Sequence, residues 1–275
     1  YQMVKGLIAP IFSLLDGVTV PFEIDRARWA GLGVPSERIA VTGSVKFDNA
    51  GHGAAAAERQ QTLARWLADT GMPATHRILL AGSTHDGEET LLALLSERLR
   101  AEVPELALVI VPRHAERGAA IAAQLRDLGF DPVLRVESNR VARDTQEGSP
   151  PPTETSRGRI WIANTTGELR AWFPLAELVV IGKSFCGGGG QNPVEPILCG
   201  KPVVVGPHME NFRDVVLDLL AVDGIAQVAD AESLPTALLT LLRQPDLGSA
   251  MARRGAAAMA RHEGAAARNA DFLLA

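Results

Sequence analysis

Cysteine is scarce: Cys186 and Cys199 are the only two in 275 residues. Two thiols supply no disulfide framework and suit a reducing compartment. There is no CxxC pair and no pair of histidines at helical spacing, so the usual metal-ligand patterns are missing. No cluster of carboxylates with ligand spacing replaces them, and no metal is expected. No apolar run is long enough to cross a bilayer, and no signal peptide opens the sequence. Positive charge is in deficit, with 27 Lys and Arg against 32 Asp and Glu and a net charge of −5. That balance argues against a nucleic-acid-binding surface. Two phosphate-binding signatures are also missing. Gly182-Lys183-Ser184 invites a P-loop reading, but the pattern requires glycine where Glu177 stands. No GxGxxG follows the first strand, which disfavours a nicotinamide-binding fold. The first residue is Tyr1 rather than Met, inside an apolar segment. The expectation is that an N-terminal part precedes it, together with any anchor or targeting segment.

What is present is a globular chain, 47% hydrophobic and 21% charged, long enough for one or two domains. Residues 1–16 have helical spacing of apolar residues. Gly17–Phe22 reads as a strand, Glu23–Gly31 as a helix with Trp29 on its apolar side, and Arg38–Gly43 as another strand. These units resemble the end of an α/β domain, and polar Ser44–Gly53 reads as an interdomain linker. A second series of strands follows at Arg77–Ala81, Leu106–Val111, Pro132–Val136, Arg159–Ala163, Leu178–Gly182, Lys201–Val205 and Ile225–Val228, with helices between most of them. Leu106–Val111 is apolar without alternation, as in a strand covered on both faces. Glu137–Gly158, with Pro150-Pro151-Pro152, reads as a mobile surface insertion. The alternation implies a doubly wound parallel sheet.

Ligands of such sheets bind outside the carboxyl ends of the strands. Five suggestive loops fall there: Gly82–Glu89, Pro112–His114, Thr166–Glu168, Gly187–Glu195 and Gly206–His208. The chain is organised around the fourth. Glycines 187 to 190 run into Gln191, and Asn192-Pro193-Val194-Glu195 opens a helix expected to end near Gly200. Glycines let a ligand approach the backbone, and a helix start offers unpaired N–H groups to an anion such as phosphate. A structural explanation covers part of the same pattern. Asn192 as N-cap, Pro193 in the first turn and Glu195 three residues on make a capping-box-like pattern. Four glycines in a row exceed what a simple strand-to-helix turn needs.

Arg113 ends a buried strand, where a guanidinium calls for an anionic partner, either a ligand or an interdomain carboxylate. Glu168 opens a helix, which dipole attraction alone would favour. Glu195 could take the two vicinal hydroxyls of a ribose. His85 and His208 are loop histidines or catalytic groups, Glu88 and Glu89 are expected to solvate the first turn of a helix, and Trp161, Trp172 and Phe173 are expected in the core.

Taken together, five stretches resemble one family. VTGSVKFD (Val41–Asp48), AGSTHDGEE (Ala81–Glu89), VPRHAER (Val111–Arg117), TTGELRAWFPLAELVVIG (Thr165–Gly182) and GGGGQNPVEPILCGKPVVVGPHMENF (Gly187–Phe212) are similar to 3-deoxy-D-manno-octulosonic acid (Kdo) transferases. The likeness runs from about residue 15 to the C-terminus. It implies the GT-B architecture, two Rossmann-like domains facing a cleft. Residues 1–43 would be the tail of the N-terminal, acceptor-side domain, residues 44–250 the donor-binding domain, and residues 251–275 a helix crossing back.

The resemblance places CMP contacts on Pro112-Arg113, on Thr166-Gly167-Glu168 and on Asn192-Pro193-Val194-Glu195. Gly82, Ser83, His85, Ser184, Gly189, Gly190 and Gln191 would belong to the surrounding donor-site loops. Three positions depart from the usual pattern: Gln191 replaces His, Thr166 replaces Met, and Gly182-Lys183-Ser184-Phe185 replaces Gly-Gly-Ser. The family's catalytic carboxylate lies in the N-terminal domain and has no match here.

The implied activity is inverting transfer of Kdo from CMP-Kdo to a lipid A precursor, at the cytoplasmic face of a bacterial inner membrane. CMP would leave with its phosphate stabilised by Arg113 and the helix start at Asn192, and Glu195 would hold the ribose. The implied partners are the nucleotide-sugar donor, the lipid acceptor and a membrane surface reached through the preceding N-terminal part. A GT-B enzyme working on a UDP-sugar, as transferase or epimerase, and a non-catalytic nucleotide-binding module are the alternatives.

Overall fold

The computed structural model describes residues 5–48, 54–136 and 157–274. The chain divides into two compact units, one of residues Tyr1–Gly51 with Ala257–Ala275, the other of His52–Ala256.

The smaller unit contains helix α1 (Lys5–Phe12), strand β1 (Val18–Val20), α2 (Glu23–Leu32), β2 (Ile39–Val41) and α3 (Val45–Asp48). β1 and β2 pair in parallel, and Val20, Val34 and Ile39 form the buried centre with Phe12 and Trp29 packed on them. The rings of Phe12 and Trp29 meet edge to face at 5.6 Å. Ser44–Gly53 is not wholly a linker. Its first half folds as α3, whose Phe47 is buried against the ring of His262, and the Ser44 N–H donates to His262 Nδ1 at 3.1 Å. The buried aromatic at Phe47 overrides the polar composition of the stretch. Residues 49–53 lie outside the described part.

The larger unit runs α4 (Ala54–Asp69), β3 (Arg77–Thr84), α5 (Glu88–Arg100), β4 (Leu106–Pro112), α6 (Gly118–Asp127), β5 (Asp131–Val136), β6 (Arg159–Asn164), α7 (Leu169–Trp172), β7 (Leu178–Ile181), α8 (Val194–Leu198), β8 (Val203–Val205), α9 (Arg213–Leu220), β9 (Ala226–Gln227) and α10 (Leu234–Arg243). Helix α11 (Pro245–Met259) follows, and α12 (Ala265–Leu274) falls in the smaller unit. The sheet has seven strands in the order β5-β6-β4-β3-β7-β8-β9, and every pairing is parallel. The unbroken apolar runs of β3, β4 and β7 follow from helices on both faces. Leu79, Leu108, Ile110, Ile160 and Val180 meet Leu92, Leu99, Ile121, Leu125 and Leu238 of the helices on one face. On the other, Trp161 donates its indole N–H to Thr70 Oγ1 at the end of α4 (3.0 Å), and Trp66 of α4 meets the buried Trp172 edge to face.

Two sequence expectations change here. β3 extends through Gly82, Ser83 and Thr84, so these three residues are strand rather than loop. Helix α8 begins at Val194 and has five residues, too few to sum a strong helix dipole. The polar stretch Glu137–Gly158 lies outside the described residues except for Arg157 and Gly158, whose backbone groups hydrogen-bond to Gly129 and Asp131.

From β3 the chain passes to β4 and then to β5 at the edge, β6 fills the place between β4 and β5, and β7 then pairs on the other side of β3. The reversal between β3 and β7 is a topological switch point, where the strand order implies a crevice at the carboxyl ends. In doubly wound sheets this is the favoured position for a ligand.

Candidate functional site at the carboxyl edge of the sheet

Here Ser83, next to the last residue of β3, and Lys183, two residues after β7, hold left-handed backbone on side chains that are not glycine, at φ 57° and 58°. Between them the chains are nearly in contact. A Cβ on Gly182 would stand 2.4 Å from the Ser83 carbonyl oxygen, and one on Gly206 would stand 2.2 Å from the Ser184 carbonyl oxygen. The loop after β7 is therefore wedged between the ends of β3 and β8. Ser184 is buried as a strut, its hydroxyl donating to the Ile181 carbonyl at 2.6 Å and accepting the Gly206 N–H at 2.9 Å.

The largest surprise is Glu88. It does not solvate the first turn of α5; it is fully buried. Its Oε2 accepts the N–H of Lys183 at 2.7 Å and of His85 at 2.9 Å, and its Oε1 accepts those of Ser184 at 2.9 Å and Phe185 at 3.0 Å. A buried carboxylate is tolerable when its oxygens are filled by donors in this way. Glu89 is buried as well, bonded to the Thr84 hydroxyl at 2.9 Å and to Arg117 at 2.9 Å. A signal for both was present. Glu88 stands four residues before Leu92 and Glu89 four before Ala93, on the buried stripe of α5.

The glycine run folds back over this base. Gly190 donates its N–H to the Lys183 carbonyl at 3.0 Å. Gly189 donates to Glu210 Oε2 at 2.6 Å, and its carbonyl accepts the Asn211 N–H. Gly187, Gly189 and Gly190 have positive φ, which explains glycine at those three positions. Many of the loop's N–H groups are thus spent on Glu88 and Glu210. Among the described residues, those of Gly187, Gly188, Gln191 and Asn192 have no protein acceptor. Glu210 is held below the usual carboxylate range, first by N–H groups of its own backbone and Gly189, then by His208. The Cys186 thiol is pushed up by burial and by Glu88, Glu89 and Asp86.

Asn192 caps the following turn, its Oδ1 accepting the Val194 N–H at 3.0 Å. The reciprocal half of a capping box is not made. Glu195 instead accepts from the Asn192 side-chain amide at 3.2 Å and from Arg170 Nε at 2.9 Å. Arg170 lies two residues beyond Glu168, so this ion pair joins the loop after β6 to the start of α8. Pro193 and Val194 are buried and Gln191 is half-buried.

Glu168 is tied down from the opposite side. Arg135 at the end of β5 clasps it through two hydrogen bonds, Nε to Oε2 at 3.0 Å and Nη2 to Oε1 at 2.9 Å. The Thr165 hydroxyl donates to it as well, and Arg135 stacks 5.7 Å over the ring of Trp66. Burial opposes its charge, but Arg135 and Thr165 prevail and hold the carboxyl below its usual range. Thr166 and Gly167 are exposed beside it, and a Cβ on Gly167 would meet nothing.

Pro112 closes β4, and the Arg113 N–H donates to the Thr84 carbonyl at 3.0 Å. The Arg113 side chain is exposed, and no hydrogen bond or ion pair engages its guanidinium among the described residues. The rings of His85 and His114 meet at 6.0 Å, linking the loops after β3 and β4. The structure therefore gathers Pro112-Arg113, Thr166–Glu168 and Asn192–Glu195 on one edge. It keeps Gly82, Ser83 and Ser184 as buried framework beneath them, with His85 at its rim. Sequence reasoning missed Glu88, Glu210, Arg135 and Arg170 as the groups that fix this edge. Among the described residues, no group of three or more His, Cys, Asp or Glu is placed to hold a metal ion, and no helix is long and apolar enough to cross a membrane.

No protein-family model matches the chain. The 3-deoxy-D-manno-octulosonic acid transferase of Haemophilus influenzae is 26% identical over 274 residues, spanning 99% of this chain and 60% of that protein. Its counterpart in Bordetella pertussis is 31% identical over 263 residues, spanning 94% of this chain and 56% of that protein. The chain thus spans less than two thirds of the length of these relatives. Among solved structures, the C-terminal CMP-Kdo binding domain of WaaA from Acinetobacter baumannii superposes with a TM-score of 0.60 at 21% identity, over 74% of this chain and 98% of that domain. HepE from Anabaena in complex with UDP gives 0.57 at 14% identity, over 99% of this chain and 68% of that one. At these identities the structural matches speak for the fold. The chain is thus similar along nearly its whole length to 3-deoxy-D-manno-octulosonic acid transferases, and its fold is GT-B-like.

Proposed function

We propose that the carboxyl edge of the larger unit holds the nucleotide of CMP-Kdo, and that the protein transfers Kdo with inversion to a lipid A precursor. The observation that carries this reading is Arg113. A guanidinium without a protein partner among the described residues stands at the end of a buried strand, on the edge that also carries the unused N–H groups of Gly187, Gly188, Gln191 and Asn192. An arginine with free N–H groups nearby suits a phosphate. With α8 only five residues long, the phosphate charge would rest on these donors rather than on a helix dipole.

In this reading Pro112 and the exposed Thr166-Gly167 backbone flank the base, and Glu195 accepts the ribose hydroxyls. Glu195 is already aimed by Arg170 and Asn192, so little reorganisation is needed. Glu168, clasped by Arg135, fixes the turn that presents Thr166 and Gly167. During transfer the acceptor's hydroxyl oxygen bonds to the sugar's anomeric carbon from the face opposite the phosphate as the bond to the phosphate oxygen breaks, and the phosphate keeps the electron pair. Arg113 would stabilise the developing charge, while a carboxylate elsewhere in the whole protein would take the acceptor's proton. That work would take place at the cytoplasmic face of an inner membrane, where the lipid acceptor is available.

Calorimetric titration with CMP tests the site. Arg113→Ala should weaken CMP binding by about 1.5–3 kcal/mol, the scale of a charged hydrogen bond. Unchanged affinity would remove Arg113 from the phosphate site.

A further inference from the structure

Lys183 is an oddity of the crevice. It holds a left-handed backbone, φ 58°, in a loop where glycine is plentiful and would adopt that conformation without strain. Both of its backbone groups are pinned. Glu88 accepts its N–H at 2.7 Å, and its carbonyl accepts the Gly190 N–H at 3.0 Å. The side chain is half-buried, and no hydrogen bond or ion pair engages its ammonium among the described residues. Acids of the neighbouring loops are already engaged elsewhere. Glu88 is spent on five backbone N–H groups, the fifth that of Cys186 at 3.5 Å, Glu89 on Arg117 and Thr84, and Glu210 on Gly189 and His208. Strain held in place by a buried carboxylate, on a half-buried cation without a partner, is the pattern of a residue kept for a ligand.

We infer that Lys183 is a further anion-binding residue of the donor site, presented at the crevice between β3 and β7 by Glu88, and that its ligand is the phosphate of the nucleotide. This rests on the nucleotide-binding reading above. Lysine acts here as a point charge, complementing the directional donors of Arg113 and the loop N–H groups. Glu88 is a positioning residue: it touches no ligand but holds the backbone from which the lysine projects.

The test titrates CMP and cytidine into the 275-residue chain and into K183A and K183G. K183A removes the ammonium and keeps a side chain in the left-handed region. K183G removes both ammonium and strain, so a folding defect in the first variant cannot account for a loss in the second. The native chain should bind CMP more tightly than cytidine. Both variants should lose about tenfold in CMP affinity, the scale of one charge-assisted contact, and keep cytidine affinity within about twofold. Native CMP affinity in both variants, or equal loss of CMP and cytidine, would overturn the assignment of Lys183 while leaving the nucleotide site standing. A native chain that binds neither ligand, or binds both equally, would instead overturn the underlying reading and the inference with it.

Discussion

Removing the Glu88 carboxylate would orphan five backbone N–H groups at once, those of His85, Lys183, Ser184 and Phe185 and, at the longer 3.5 Å, Cys186. Glu88→Ala is expected to cost about 3 kcal/mol or more, since each orphaned donor costs roughly 1–3 kcal/mol, and urea unfolding at neutral pH would measure it. A loss below about 0.5 kcal/mol, the scale of an ordinary surface change, would mean the loop finds other partners. The Arg135–Glu168 clasp makes a different prediction. Glu168 has its folded-state value lowered below the ordinary 4.5, despite burial, by Arg135 and Thr165. Its contribution to stability is therefore complete above that ordinary value and is lost as pH falls through the lowered one. Arg135→Ala should cost about 1.5–3 kcal/mol at neutral pH. It should also flatten the decline in stability between neutral pH and about pH 3.5. Urea midpoints of both chains at the two pH values would show it, and parallel declines would contradict the pairing. Sequence alone singled out Glu168, Glu195 and Arg113 as candidates but not what surrounds them. Arg135 and Arg170 come from other elements, and a partner brought by tertiary folding leaves no local mark. Glu88 was legible in principle, because it falls on the buried stripe of α5, but a carboxylate in a first turn is ordinarily explained by the helix dipole.

Among the connecting elements, close packing rather than chain flexibility sets the shape of the loops. Gly182 has an ordinary φ, yet a Cβ there would stand 2.4 Å from the Ser83 carbonyl oxygen and 2.5 Å from the Thr84 Cα. Gly182→Ala should destabilise the larger unit by about 1–3 kcal/mol through backbone displacement. Gly31, in the last turn of α2, has open space around it. Gly31→Ala should stabilise by up to about 1 kcal/mol through helix propensity and a less flexible unfolded chain. Thermal unfolding of the two variants should shift in opposite directions, and equal shifts would refute the packing argument. The central strands β3, β4 and β7 were visible in the sequence because their runs are almost wholly apolar and buried. Helix α4, covering the second face with Leu63 and Leu67 buried, went unassigned because its polar, alanine-rich stretch lacks a strong pattern of large apolar residues. The brevity of α8 was not legible either. The helix ends at Leu198, where Gly200 follows in the left-handed region at φ 74°.

For the molecule as a whole, the parallel order β5-β6-β4-β3-β7-β8-β9 fixes one crevice by topology, and the loops with unspent hydrogen-bond donors meet there. The fold agrees with the sequence reading, a GT-B-like sheet, and the chain is similar to 3-deoxy-D-manno-octulosonic acid transferases, of whose length it spans 56% to 60% in the two compared. The fold was legible because strand–helix alternation repeats along the chain. A ligand was not, because in the proposed site its recognition would rest on a few backbone groups in turns such as Thr166-Gly167, which leave no side-chain pattern. The most direct test of the account is a calorimetric titration of CMP, UMP and UDP into the 275-residue chain, alongside Glu195→Ala. The account predicts that CMP binds in preference to both uridine nucleotides, and that Glu195→Ala weakens it by about tenfold or more. Preference for UDP, or CMP binding indifferent to Glu195, in a chain shown to be folded, would contradict it.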